Sequence, residues 1–231
     1  MQKNTKIWVA EKASSFFQIE WFDHLSNSIP YSLGHSGYGR QPVIKFNVGN
    51  HYMVLRHYCR GGLPAKFSKD KFVFSGWSST RAYQELILLE KMTQLELPVP
   101  HPIASRSMLE GLIYSSDIIM HEILHAKTLA QMLTRNKLSI DCWAEIGRVI
   151  KKFHTAGIEH VDLNANNILI DRNENLYLID FDRCLQRDYS YTWGKKNLNR
   201  LKRSLIKTKN LNKEFYYSEK DFQFLCKAYD G

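Results

Sequence analysis

The sequence has no hydrophobic run long enough to cross a bilayer and no recognisable export signal. Its N-terminus offers only the four apolar residues at 7–10, well short of the about 7–15 residues of a signal-peptide core. Stretches such as Ile168-Leu169-Ile170 fall far below the roughly 20 residues that a membrane-spanning helix requires. We therefore expect no signal peptide and no transmembrane segment, so that any association with a membrane would be peripheral.

Cysteine is scarce, and the four cysteines are far apart and form no CxxC pair. They are Cys59, Cys142, Cys184 and Cys226. We expect reduced thiols that serve packing in a cytosolic protein. No spacing of His and Cys residues suggests a zinc site.

Internal repeats are absent too. No Gly-X-Y, heptad or longer period recurs, which excludes collagen, coiled-coil and solenoid architectures. A disordered chain is excluded because 44% of the residues are hydrophobic and 13% are aromatic, which is enough apolar surface to build a core. The 231 residues correspond to one or two domains of about 150 residues each.

Acidic residues are outnumbered, and the imbalance is concentrated in one segment. The chain carries 32 Lys and Arg against 23 Asp and Glu, a formal net charge of +9. Residues 183–209 hold nine basic residues and one acidic residue, whereas residues 1–182 are close to neutral. Such a segment favours a phosphate-bearing partner: a nucleic acid, an anionic membrane surface or a phosphorylated substrate.

The hydrophobic periodicity predicts strands first and helices afterwards. Predicted strands are 43–48, 52–58, 112–114, 117–123, 167–170 and 176–179, and predicted helices are 79–95, 140–156, 193–208 and 218–229. Because strands and helices are segregated along the chain, we predict an α+β fold. We divide it into a strand-rich N-lobe at 1–122 and a mainly helical C-lobe at 123–231.

One stretch carries the residues of a chemical site. Asp162 lies on a loop directly after the long helix, Asn167 follows five positions later, and Asp180 ends the next hairpin. A carboxylate and an amide that converge at hairpin ends suit Mg²⁺, and a third carboxylate beside them can take a proton from a hydroxyl nucleophile. These are the requirements of phosphoryl transfer. Taken singly, each residue is better explained as a turn cap or a strand terminator, and only the joint pattern favours a site.

The joint pattern, H-x-D-x-x-x-x-N followed by a hairpin and D-F-D, resembles the protein-kinase-like fold. Upstream, Gly37 and Gly39 belong to a glycine-rich stretch where kinases cover the nucleotide phosphates. Arg56 occupies the position of the kinase third-strand lysine, and its helix partner is Glu85, with Glu90 as the alternative. Asn164 stands where eukaryotic protein kinases usually have a lysine, which argues against a protein substrate.

One family within that fold is more similar still. The runs LRHYCRGGL (55–63), LPVP (97–100), HVDLNANNIL (160–169), DFD (180–182) and NLNRL (197–201) resemble motifs of bacterial 3-deoxy-D-manno-octulosonic acid (Kdo) kinases, in the same order and spacing. The resemblance implies an enzyme that uses ATP to phosphorylate the 4-hydroxyl of a Kdo sugar on a lipid A precursor. It also implies a peripheral location at the cytoplasmic face of the inner membrane of a Gram-negative bacterium.

The resemblance also implies roles for individual residues. Asp162 would orient the sugar hydroxyl and take its proton, while Asn167 and Asp180 would hold Mg²⁺ on the ATP phosphates. The nucleotide would be contacted by Gly37, Gly39, Arg56, Glu85, Glu122 and Leu124. The acceptor sugar or its lipid would be contacted by His57, Arg60, Asn164 and Arg200, by the basic insert with Lys66, Lys69 and Lys71, and by the segment around Asn197.

Two other functions remain open at this stage. One is a kinase of a different small acceptor, either lipopolysaccharide heptose or an aminoglycoside. The other is a catalytically inactive kinase fold that docks on membranes or RNA. We expect no nucleic acid partner, because no aromatic RNA-binding signature or helix-turn-helix pattern accompanies the basic segment. The basic segment instead favours an acidic glycolipid at an anionic membrane, and we infer no obligate protein partner.

Overall fold

The computed structural model describes residues 4–23, 43–59 and 70–231. These divide into two compact units. The first comprises Met1–Lys91 and Pro100–Glu122, and the second comprises Met92–Val99 and Ile123–Gly231. Residues 92–99 thus group with the second unit, whereas the N-lobe expected from the sequence comprised 1–122 as a whole.

The first unit is built on an antiparallel sheet. Its strands are β1 (Asn4–Val9), β2 (Ile44–Val48), β3 (His51–His57), β4 (Phe72–Val73), β5 (Pro102–Glu110) and β6 (Ile113–His121). The strand order is β1-β5-β6-β3-β2, and β4 pairs with the beginning of β6. The predicted hairpin at 43–58 is confirmed as β2 and β3, joined at Gly49-Asn50.

The separation of residues 112–123 into two predicted strands, 112–114 and 117–123, with a turn at Ser115-Ser116 between them, is wrong. Both serines lie inside the continuous strand β6, whose partner β5 was not predicted at all. The hydroxyls of Ser116 and Ser107 lie 2.7 Å apart across the two strands and are buried. Because the Ser107 and Ser116 hydroxyls hydrogen-bond to each other, both side chains can be buried within the sheet. The turn lies at Gly111-Leu112 instead.

One helix, α1 (Arg81–Gln94), accompanies this sheet. Its buried positions include Ala82, Leu86 and Leu89, which repeat at the spacing of three to four residues that places side chains on one helix face. The helix predicted at 79–95 is therefore confirmed. The helix also places Glu85 on this buried face, where the residue is only 2% exposed.

The second unit is mainly helical. Its helices are α2 (Leu129–Leu133), α3 (Ile140–Thr155), α4 (Tyr191–Leu211) and α5 (Glu219–Asp230). Its strands are β7 (Lys127–Thr128), β8 (Ile158–Glu159), β9 (Ile168–Ile170), β10 (Leu176–Leu178) and β11 (Leu185–Gln186). Sheet β10-β9-β7 and the pair β11-β8 are both antiparallel. The helices and the hairpin predicted for this half are confirmed, and so is the α+β class.

Local sequence explains where the long helix α3 begins and ends. The Ser139 hydroxyl accepts a hydrogen bond from the Cys142 backbone N–H at 3.1 Å, which caps the first turn. The chain leaves the helix at Gly157, whose φ of +76° is open to glycine at little steric cost. Loop 160–167, which carries Asp162, follows within a few residues.

No helix within the described ranges is long and apolar enough to span a membrane. The four cysteines all lie in those ranges and form no disulfide.

Candidate active site

A buried histidine organises the loop that carries Asp162. His160 is 1% exposed, and its Nε2 lies 2.9 Å from the carbonyl oxygen of Ile179. A carbonyl oxygen only accepts, so Nε2 carries the proton, and Nδ1 is left to accept the backbone N–H of Asp162 at 3.3 Å. Burial lowers the pKa of His160, which agrees with a neutral ring bonded in this way.

The carboxylate of Asp162 is exposed, and two amides fix its position. The Asn164 side-chain nitrogen donates to Oδ2 of Asp162 at 3.0 Å and to its backbone oxygen at 3.0 Å. The Asn167 side-chain nitrogen donates to the same backbone oxygen at 2.9 Å. Asn164, predicted to contact the acceptor, therefore bonds to Asp162 itself.

Asn167 and Asp180 are joined through the hairpin backbone. The backbone N–H of Ile179 donates to the Asn167 backbone oxygen at 3.0 Å, which places Asp180 one residue beyond that bond. Asp180 has φ of +68°, a left-handed conformation that is rare outside glycine and that concentrates at functional sites. Asp162 and Asp180 both lie close enough to His160 to raise its pKa electrostatically, although burial dominates.

The donor set suits a magnesium ion that is shared with phosphate. Asn167 uses its side-chain nitrogen on Asp162, so its oxygen is the amide atom that can face a cation, and Asp180 offers carboxylate oxygens. Within the described residues, no group of three or more His, Cys, Asp or Glu side chains could hold a metal alone. Mg²⁺ commonly binds one or two protein oxygens and takes its other ligands from water and substrate phosphates, so these residues fit it.

The first unit holds a charged group of its own. Arg56 of β3 forms an ion pair with Glu85 of α1. The Tyr58 hydroxyl donates to the same carboxylate at 2.6 Å, and the Arg56 guanidinium lies 4.8 Å from the centre of the Tyr58 ring. Glu90, the alternative partner, instead accepts the backbone N–H of Glu11 at 2.9 Å.

His57 lies on the other face of the sheet from Arg56, because neighbouring residues of a strand alternate in direction. Its Nδ1 is 2.6 Å from Asp117 Oδ1 and its Nε2 is 3.2 Å from Asp70 Oδ2. The hydrogen bond with Asp117 raises the pKa of His57, against the effect of burial. The structure thus surrounds this predicted substrate residue with two carboxylates.

The remaining predicted residues belong to both units, and some lie outside the described residues. Glu122 forms an ion pair with Lys45, Leu124 is exposed, and Lys71 lies 3.4 Å from Glu110. Arg200 is exposed on α4. Gly37, Gly39 and Arg60 lie outside the described residues, as do Lys66 and Lys69.

Three residues of the site were missed or misjudged from the sequence. Asn197, grouped with the segment expected to meet the acceptor, is 3% exposed, and its side-chain nitrogen donates to the backbone oxygen of His160 at 2.7 Å. His154 and Tyr229 lie behind it in the same hydrogen-bonded chain. The sequence did contain a signal for Asn197: it lies four residues from both Trp193 and Leu201, so it shares their buried face of α4.

An aspartate presented to accept a proton, beside an amide and a carboxylate suited to a divalent cation, provides the groups that phosphoryl transfer requires, and this makes the loop the candidate active site. The chain belongs to the lipopolysaccharide kinase (Kdo/WaaP) family, whose sequence profile matches residues 36–229.

Similar proteins carry the name 3-deoxy-D-manno-octulosonic acid kinase. That of Photobacterium profundum is 40% identical over 178 residues, which cover 77% of this chain and 75% of that protein. That of Stenotrophomonas maltophilia (strain K279a) is 44% identical over 177 residues, covering 77% and 70%. Among solved structures, the Rio2 kinase–ADP/Mg²⁺–phosphoaspartate complex from Chaetomium thermophilum matches 91% of this chain and 74% of that one, with a TM-score of 0.49 and 15% identity.

Proposed function

We propose that this protein is an ATP-dependent kinase that phosphorylates the 4-hydroxyl of a Kdo sugar on a lipid A precursor, in lipopolysaccharide inner-core biosynthesis. Relatives that bear the name Kdo kinase and cover about three quarters of the chain support the substrate class. The observation that carries the chemistry is the exposed Asp162 carboxylate, which Asn164 holds at 3.0 Å above a buried neutral histidine.

In this proposal Asp162 is the catalytic base. Its carboxylate accepts the proton of the sugar hydroxyl as the hydroxyl oxygen bonds to the γ-phosphorus of ATP and the bond to the β-phosphate oxygen breaks. General base catalysis of this kind contributes about 10²–10⁴-fold to a rate. Asn164 and Asn167 keep the carboxylate in place through their bonds to Asp162.

Asn167 and Asp180 are the proposed protein ligands of Mg²⁺, which would neutralise phosphate charge when bound. In the first unit, Arg56 would bind ATP phosphates, and Glu85 would hold the guanidinium for that purpose through the observed ion pair. Gly37 and Gly39 would let the backbone approach the phosphates. Glu122 and Leu124 remain the proposed contacts of the adenine.

The basic helix α4 is the proposed contact with an anionic membrane. Lys196, Arg200, Arg203 and Lys207 are exposed at spacings of three to four residues, so they form one stripe on the helix, hereafter the cationic stripe. In the described part of the chain none of the four forms an ion pair, whereas Lys195 and Lys202 pair with Asp230 and Glu219 of α5. A lipid substrate and a peripheral position at the cytoplasmic face of the inner membrane agree with such a stripe.

The deciding experiment compares acceptors in one assay. The protein is incubated with labelled ATP and Mg²⁺ and with a Kdo-bearing lipid A precursor, a heptose-bearing acceptor or an aminoglycoside. We expect label on the Kdo 4-hydroxyl. Label on heptose or on the aminoglycoside alone would establish the alternative kinase, and no transfer to any acceptor would leave only a docking module.

The base is tested with a matched pair of variants. Asp162→Asn should lower kcat by about 10²–10⁴-fold. Asp141→Asn removes another exposed carboxylate of the second unit, in the first turn of α3, and should leave kcat unchanged. Equal activity of the two variants would exclude Asp162 as the base.

A further inference from the structure

A buried hydrogen-bonded chain runs from the C-terminal helix to the loop that carries Asp162. The Tyr229 hydroxyl of α5 lies 2.8 Å from Nδ1 of His154 on α3. Nε2 of His154 lies 3.1 Å from Oδ1 of Asn197 on α4, and the Asn197 side-chain nitrogen lies 2.7 Å from the backbone oxygen of His160. Three helices therefore contribute one polar side chain each to a single chain of bonds.

The direction of every bond in this chain is set at its loop end. The His160 backbone oxygen can only accept, so the nitrogen of the Asn197 amide must face it and the amide oxygen must face His154. Nε2 of His154 must then carry the proton, and its bare Nδ1 accepts the hydroxyl proton of Tyr229. Burial lowers the pKa of His154 to about 4, which keeps the ring neutral as this arrangement requires.

Two glycines make room for this chain of hydrogen bonds. A Cβ at Gly194 of α4 would lie 2.6 Å from the Tyr229 hydroxyl and 3.3 Å from Nδ1 of His154. A Cβ at Gly147 of α3 would lie 2.2 Å from the backbone oxygen of Leu225 on α5. Glycine is unfavourable inside a helix, yet at both positions it allows α5 to approach closely enough for the Tyr229–His154 bond.

The far end of the chain reaches the backbone of Asp162. The His160 peptide oxygen is bonded to Asn197 while the His160 ring accepts the Asp162 N–H. His160 is thus held on its main chain by α4 and on its side chain by the loop and by Ile179. A rotation of the Asn197 amide would set its oxygen against the His160 oxygen, and the repulsion would displace the peptide two residues before the proposed base.

We propose that Tyr229, His154 and Asn197 are positioning residues, which hold Asp162 in register by keeping the His154 ring and the Asn197 amide in one orientation. The inference rests on the proposed kinase function for its kinetic consequence, but the tautomer and the loop conformation can be observed without any substrate. Removing the Tyr229 hydroxyl leaves Nδ1 of His154 buried without its donor, which frees the His154 ring to turn and the Asn197 amide to turn with it.

The experiment compares Tyr229→Phe with Tyr217→Phe in the full chain. Tyr217 is a matched control, because its hydroxyl is also buried in the second unit but makes no hydrogen bond within the described residues. Small displacements of catalytic groups cost up to about 100-fold in rate, so we expect Tyr229→Phe to lower kcat about tenfold or more while KM for ATP stays within about twofold. Tyr217→Phe should change neither constant.

Long-range ¹H–¹⁵N NMR of the labelled protein supplies the second readout. The wild type should show His154 protonated at Nε2 only, and Tyr229→Phe should shift the Nδ1 signal of His154 and, with it, the backbone amides of loop 160–167. Tyr217→Phe should leave both unchanged. A purely structural role would lower stability in Tyr229→Phe without moving the backbone amides of loop 160–167.

The outcomes separate the inference from the proposed function. An Nδ1–H tautomer in the wild type, or loop amides that do not respond to Tyr229→Phe, would overturn the inference whether or not the protein phosphorylates Kdo. An unchanged kcat in Tyr229→Phe would also overturn it. Failure of the wild type to phosphorylate Kdo, with the NMR result as expected, would refute the proposed function and leave the positioning chain standing.

Discussion

Asp117 offers a sharp test of how the first unit is stabilised. It is fully buried in the middle of a row across three strands, since it pairs in register with His57 on β3 and with Arg106 on β5. Its Oδ1 accepts from His57 at 2.6 Å and its Oδ2 accepts from Arg106 Nε at 2.9 Å. One carboxylate therefore compensates two cationic groups inside the sheet.

The substitution Asp117→Asn keeps the shape of the side chain and removes its charge. The amide nitrogen must then face either Arg106, which can only donate, or Nδ1 of His57, which accepts only when the ring is neutral, and the Arg106 side chain is only 15% exposed. Breaking a buried ion pair by removing one partner costs about 3–5 kcal/mol. Because Arg106 also donates to the Phe22 backbone oxygen at 3.3 Å, we expect the lower end, a loss of about 3 kcal/mol in the free energy of unfolding.

The same carboxylate makes stability depend on pH. The hydrogen bond with Asp117 raises the pKa of His57 above its ordinary value of 6.5 in the folded protein. A proton is therefore held more tightly in the folded state than in the unfolded state. This stabilisation is fully present below about pH 6.5 and is lost as the pH rises through the higher folded pKa. Asp117→Asn should abolish that dependence.

Urea unfolding followed by circular dichroism at pH 6 and pH 9 measures both effects. The control is Asp70→Asn, which removes the other carboxylate on His57, at 3.2 Å and with a side chain 39% exposed. Exposed pairs contribute about 1 kcal/mol or less, so this variant should lose little. A loss below about 1 kcal/mol in Asp117→Asn, or a pH dependence that survives in it, would refute the reasoning.

Three further predictions concern the nucleotide, the membrane and a thiol. Arg56→Met should raise KM for ATP about tenfold or more, since hydrogen bonds to charged groups contribute about 1.5–3 kcal/mol. Arg56→Lys should raise KM less, because the charge remains. Equal KM values for wild type and Arg56→Met in steady-state kinetics would exclude a phosphate contact. Replacing Arg203 and Lys207 of the cationic stripe by Gln should weaken binding to anionic vesicles about 30-fold at low salt, as measured by co-sedimentation, since each basic residue near such a surface contributes about 1 kcal/mol. The charge-matched control, Lys213→Gln with Lys220→Gln, should change the binding little. Binding that responds neither to loss of the stripe nor to added salt would contradict the membrane contact. Burial raises the pKa of the Cys142 thiol to about 11. Iodoacetamide at pH 8 should therefore leave Cys142 unmodified in the folded protein, as measured by mass spectrometry of its peptides. Rapid labelling of Cys142 would show that its thiolate is accessible.

Periodicity predicted the helices well and one part of the sheet poorly. The helix at 140–156 was found because its apolar residues repeat every three or four positions, and the structure has it as Ile140–Thr155. Strand β5 and the middle of β6 were missed because Ser115 and Ser116 look like a turn. Their burial depends on a partner strand, and the Ser107–Ser116 contact joins residues nine positions apart.

In the candidate site, too, local features were predicted from the sequence and contacts that depend on packing were not. The loop from His160 to Asn167 and the aspartate at 180 were predicted as a site from their residue types and spacing, together with the resemblance of that pattern to kinase motifs. Most contacts within the loop span two to five residues, a range in which short polar side chains bond to neighbouring backbone groups. The choice of Glu85 over Glu90 as the partner of Arg56 was open in the sequence, because both glutamates lie on the same helix and only its packing decides which one is turned inward.

The sequence by itself therefore determined the family motifs, the α+β class, the Asp162 loop and the basic character of α4, since these depend on neighbours along the chain. Only the tertiary structure decided which polar side chains are buried and what they bond. His154 meets Tyr229 across 75 residues and Asn197 across 43, and His57 meets Asp117 across 60. Such bonds form only when helix packing and strand register bring the groups together and exclude water, and a linear pattern carries no information on that.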